Sequence, residues 1–68
     1  MWFEIESKKD NVLVNLNKVN CIKVIGNDLY IDYTYKHNVV MFDTEEEAKK
    51  MYEVLKSKLL INAESGAI

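Results

Sequence analysis

The order of patterns along this chain constrains its fold more than any single motif. Five short stretches alternate in the manner of β-strands, and one segment of helical period, Phe42 to Ile61, follows them. Thr44 or Asp43 can cap that segment, because a short side-chain oxygen accepts a hydrogen bond from an orphan backbone N–H. Thr44-Glu45-Glu46-Glu47 has the spacing of a capping box. The Glu run meets the positive end of the helix dipole, and Lys56 and Lys58 stand toward the negative end. Glu45 and Lys49, like Glu46 and Lys50, are spaced for i,i+4 pairing in the favourable order. Ala48, Met51, Tyr52, Leu55 and Leu59 fall on one helix face. Successive helical residues point about 100° apart, so three neighbouring Glu side chains cannot converge on one cation. The acidic cluster therefore reads as a solvated first turn.

The strands are read from alternation and from the turns between them. Met1, Phe3 and Ile5 share one face, with Trp2, Glu4 and Glu6 on the other. A polar turn, Ser7 to Asn11, leads to Val12–Leu16, in which Val12, Val14 and Leu16 fall together. Asn15, Asn17 and Asn20 suit a short turn with side chains capping the backbone. Cys21–Ile25 is the third run, and Gly26-Asn27-Asp28 is a hairpin signal because Gly and Asn tolerate positive φ. Leu29, Ile31, Tyr33 and Tyr35 alternate with Tyr30, Asp32 and Thr34. Lys36-His37-Asn38 turns the chain into Val39–Phe42. Short connections favour antiparallel pairing of sequential strands. The expected fold is α+β: a five-strand antiparallel meander, as a curled sheet or half-barrel, covered by one C-terminal helix. Residues 1–62 form one domain and 63–68 a flexible tail.

Composition narrows the functional classes. All nine basic residues are Lys, Arg is absent, and the net charge is −2. Arg supplies most bidentate phosphate and guanine contacts, so a sequence-specific nucleic-acid reader is disfavoured. Cys21 is the single cysteine, which removes intrachain disulfides and suits a reducing, cytoplasmic setting. Met1-Trp2-Phe3 runs straight into Glu4 and Glu6, unlike a signal peptide. No apolar run nears the roughly 20 residues a membrane span requires. A 68-residue chain buries only about 60% of its unfolded surface, so homodimerisation is an expected source of added burial.

Few residues carry candidate chemistry. His37 has a reference pKa suited to general-base work, but it sits in a turn and has no second His for a metal pair. Cys21 with His37 and a carboxylate would make a nucleophilic site, yet a lone strand cysteine ordinarily behaves as a small apolar residue. Asp10, Asp28 and Asp43 occupy turn or cap positions, and Asp32 a solvent-facing strand position. Gly26 belongs to no phosphate loop. No catalytic residue, metal ligand or cofactor site is assigned.

Interaction surfaces are better supported. If Phe3, Val14, Ile22, Ile31 and Met41 or Val39 lie beneath the helix, then Trp2, Leu13, Cys21, Ile25, Tyr30 and Val40 or Phe42 lie opposite. That second face is more apolar than solvent requires, and Trp and Tyr are frequent binding hot spots. Tyr33 and Tyr35 are expected in the core or at its edge. On the helix, Val54 and Ile61 form a ridge off the main stripe and Leu60 points elsewhere. The candidate interaction residues are therefore Trp2, Ile25, Tyr30, Val54, Leu60 and Ile61. The expected role is a non-enzymatic protein-interaction module. The alternative is a nucleic-acid-associated protein using Lys8, Lys9, Lys23, Lys36 and Tyr30.

The stretches LVNLNKVNCIKV (13–24) and FDTEEEAKKMYEVL (42–55) resemble small proteins of low-GC bacteria and their phages. Those proteins combine a β-meander with one helix in a reduced pleckstrin-homology-like fold. The resemblance implies shape alone, since many such proteins have no assigned activity; a bacterial or phage regulator or inhibitor acting on a protein partner fits the interaction-module expectation. The resemblance carries no functional residue onto this chain.

Overall fold

In the computed structural model, residues 1–7 and 9–64 are described. They form β1 (Trp2–Glu6), β2 (Asn11–Asn15), a 3-10 turn (Leu16–Lys18), β3 (Val19–Ile25), β4 (Asp28–Tyr33), β5 (His37–Met41) and α1 (Glu45–Glu64). The class is α+β, with antiparallel pairing throughout, but the strands do not make one five-strand meander. They make a two-stranded sheet, β1-β2, and a three-stranded sheet, β3-β4-β5.

The break between the sheets lies at Leu16. Asn15 caps the 3-10 turn by accepting from the Asn17 N–H at 3.1 Å. Leu16 donates its N–H to the Met1 carbonyl at 2.8 Å, prolonging the first ladder by one bond. Its side chain is buried at the corner. A corner plugged this way redirects the chain, so β3 leaves β2 and starts a separate sheet.

A bulge then sets which face of β3 is apolar. Val19 pairs with Tyr33 and Cys21 with Asp32, which leaves Asn20 as the extra residue. Strict alternation would carry Asn20 onto the face of Ile22 and Val24. With the bulge, Asn20 is exposed, its amide donates to the Thr34 hydroxyl at 3.2 Å, and Val19 takes the core position. At the other end of β3, Gly26 at φ +61° opens the two-residue turn to β4. No non-glycine residue among those described has positive φ, so the turn has the II′ pattern.

The core gathers residues from both sheets and the helix. Ile5, Val14, Leu16, Leu29, Ile31, Val40, Ala48 and Leu55 are buried. Phe3, Val24, Tyr33, Phe42, Met51 and Leu59 pack around them. The helix lies mainly on β3 and β4. Lys58 adds a contact to β1, its Nζ standing 5.0 Å from the Phe3 ring centroid.

Four further expectations change. In β5 the inner residue is Val40, with Phe42 following on the same side, while Val39 and Met41 are exposed. The cause is register: Leu29 faces inward and pairs with Val40, whereas Tyr30 faces outward and pairs with Val39. Tyr35 is 96% exposed rather than in or near the core. The strand ends at Tyr33, whose N–H donates to the Lys36 carbonyl at 2.7 Å, leaving Tyr35 at the turn tip. His37 and Asn38, expected in that turn, open β5 instead. The helix continues past Ile61 to Glu64, so its last turn has no basic residue and Lys56 and Lys58 stand earlier. The remaining tail positions, 65–68, lie outside the described residues, as does Lys8.

The capping box forms in a modified way. The Thr44 hydroxyl accepts from the Glu47 N–H at 3.2 Å. It also donates to the Glu47 carboxylate at 3.2 Å. The carboxylate thus braces the capping hydroxyl itself.

Candidate functional site

Both sheets contribute to one open groove of about 580 Å³. From β1 and β2 come Trp2, Leu13 and Asn15, all on the face turned away from the core. Trp2 pairs with Asn15, and Leu13 lies diagonally across from it on the neighbouring strand. Lys18 enters from the 3-10 turn. The second wall is the β4–β5 turn, with Tyr33, Thr34, Tyr35 and Lys36, joined by Asn38 from β5.

The groove combines firm and free elements. Tyr33 packs partly into the core, and its phenol is hydrogen-bonded to the Asn38 side chain. Burial raises the Tyr33 pKa above the ordinary phenol value, partly offset by the bond to Asn38. Lys36 places its Nζ 5.7 Å from the Tyr33 ring centroid. Trp2, at 65% exposure, and Leu13, at 64%, present apolar area to solvent without a cover.

A second apolar surface lies on the outer face of the three-stranded sheet. Ile25, Asp28 and Met41 form one cross-strand row, and Lys23, Tyr30 and Val39 the next. Ile25, Val39 and Met41 are exposed, while Tyr30 is half-buried with Lys23 Nζ 5.6 Å from its ring centroid.

The six sequence-derived interaction residues are thus dispersed. Trp2 belongs to the groove, and Ile25 and Tyr30 to the outer sheet face. Val54 and Ile61 are exposed seven positions apart on one side of the helix, and Leu60 is exposed on another. The helix lies on the opposite side of the sheet from Tyr30. Leu13, Tyr35, Lys18, Val39 and Met41 were not assigned as site residues. The alternation of β2 marks Leu13, but the position of Tyr35 depends on where β4 ends.

Cys21, Asp32 and His37 align in the third outer row of the sheet. Asp32 occupies the middle strand, so the Cys21 and His37 Cα atoms are roughly 10 Å apart at ordinary strand spacing. A nucleophile needs its base within hydrogen-bond reach, and here a carboxylate stands between them. Among the described residues, no group of three His, Cys, Asp or Glu side chains is arranged to hold a metal ion. No described polar or charged side chain is fully buried. No helix among them is long and apolar enough to cross a membrane.

Comparison of the chain with protein-family models, curated proteins and solved structures gives no match.

Proposed function

We propose that this protein is a small, non-enzymatic interaction module that holds a protein partner in the Trp2 groove. The carrying observation is a Trp and a Leu, each about two-thirds exposed, facing an aromatic turn across an open groove. Large apolar side chains with a polar rim are the usual anatomy of a binding hot spot. The groove volume also falls within the range of ordinary ligand-binding clefts. Such a module suits a regulator or inhibitor acting in a reducing cytoplasm, where exposed Cys21 stays a free thiol.

The test is selection from a random-peptide display library on immobilised protein. Wild type is expected to enrich a consensus that Trp2→Ala no longer retains. Enrichment of nothing, or of sequences indifferent to Trp2→Ala, overturns the proposal.

Self-association belongs to the same reading, through the outer sheet face of Ile25, Val39 and Met41. Three exposed apolar residues on β3 and β5, the strands flanking β4, support it, because pairing two such faces adds the burial a small domain lacks. Sedimentation equilibrium is expected to give a dimer that Met41→Lys dissociates. A monomeric wild type at high concentration overturns this part alone.

A further inference from the structure

We infer that the segment held in the Trp2 groove is acidic: an extended peptide with a large apolar side chain between Trp2, Leu13 and Tyr35 and carboxylates toward Lys18 and Lys36. This rests on the preceding proposal and specifies the partner's chemistry. The chain carries 11 acidic residues against 9 basic ones, yet among the described residues every charged one lining the groove is a lysine. Both lysines are exposed, and Lys36 stands beside the Tyr33 ring that lines the same groove. Thr34, Asn15 and Asn38 add neutral hydrogen-bonding groups of the kind a peptide backbone engages.

The same aromatic and lysine residues raise the question of a nucleic-acid strand. Three features disfavour it. Among the described residues two cations line the groove, and strand binding relies on many phosphate contacts. On β1, Glu4 and Glu6 continue the face of Trp2, and Glu4 stands directly across from Leu13. A polyphosphate leaving the groove along the hairpin meets negative charge within two residues. A short segment with its carboxylates at the Lys18 and Lys36 end avoids both residues. Leu13 also supplies aliphatic area that suits a side chain better than a stacked base.

The experiment compares three display selections: wild type, Trp2→Ala, and Lys18→Glu with Lys36→Glu. Circular dichroism checks that each variant is folded, and Lys18→Gln with Lys36→Gln is the milder substitute. Wild type should enrich Asp or Glu beside Phe, Trp or Leu, and the charge-reversed protein should enrich Lys or Arg there. A synthetic peptide of the wild-type consensus should shift the Trp2 emission. Neutralising both lysines should weaken it about tenfold, as loss of two exposed ion pairs implies. A Trp2-dependent consensus that is neutral or basic overturns the acidic assignment and leaves the interaction module standing. Loss of all Trp2 dependence overturns both. Oligothymidylate that quenches Trp2 more tightly than the peptide, with steep salt dependence, assigns the groove to single strands instead. A self-association dissolved by the lysine reversals assigns it to a second copy.

Discussion

The two sheets share one alternating pattern but are held in different ways. The β3-β4-β5 sheet has its own cover, because the helix lies on β3 and β4. The β1-β2 hairpin has two strands, and such a hairpin is marginal in water alone. It is ordered by giving Phe3, Ile5, Val12 and Val14 to the common core and by the Lys58 contact to Phe3. The Trp2 groove takes one wall from each region. Its shape therefore depends on the less self-sufficient sheet staying docked, which places a candidate binding surface at the more easily opened end of the fold.

The two sheets are joined at the core beneath the helix. Leu55, on the inner face of the helix, is fully buried, and Leu55→Ala should cost about 2–5 kcal/mol in chemical denaturation. Both sheets should lose protection together, since the helix closes their shared core. Gly26→Ala tests the larger sheet alone. Nothing lies within 4 Å of the added Cβ, so the cost comes from positive φ and should be about 1–2 kcal/mol. Native-state hydrogen exchange sharpens the contrast between the regions. Amides of β1 and β2 should exchange at least about tenfold faster than those pairing β3 with β4, a difference of about 1.4 kcal/mol. Equal protection would mean that the hairpin opens only with the whole molecule.

Smaller effects are expected at the groove. Tyr33 has a raised folded-state pKa, so its neutral form contributes stability that is fully present below the unfolded phenol value. That contribution is lost as pH rises through the folded value. Denaturation midpoints should fall above about pH 10, and Tyr33→Phe should flatten that fall. Trp2→Ala removes a mostly exposed side chain and should change stability by no more than about 0.5 kcal/mol. A larger loss would make Trp2 a structural anchor of the hairpin.

Much of the fold was legible because local chemistry and tertiary structure agree. Gly26 makes the expected turn, Thr44 caps the helix, and the Ala48–Leu55–Leu59 stripe meets the core. The misread features depend on contacts distant in sequence. Asn20, expected in a turn, lies within β3 as a bulge residue whose side-chain amide reaches Thr34, 14 residues away. Leu16 looked like a strand residue, yet its burial at a corner divides one expected sheet into two. Val39 and Val40 are chemically identical, and only the pairing of Leu29 with Val40 assigns their faces. The groove was less legible still. Trp2 was singled out, but its opposite wall follows from a turn closed by the Tyr33–Lys36 hydrogen bond.

The position of the helix after all five strands also has a consequence during synthesis. The hairpins are local and can begin to pair as they leave the ribosome, but their apolar faces await a cover made last. At ordinary elongation rates, the 20 residues of the helix take roughly one to four seconds to add. For that interval Leu29, Ile31 and Val40 lie on an unfinished surface, open to chaperones or to another nascent chain. The acidic first turn of the helix emerges ahead of its apolar stripe, placing charge beside that surface before the stripe arrives to close it.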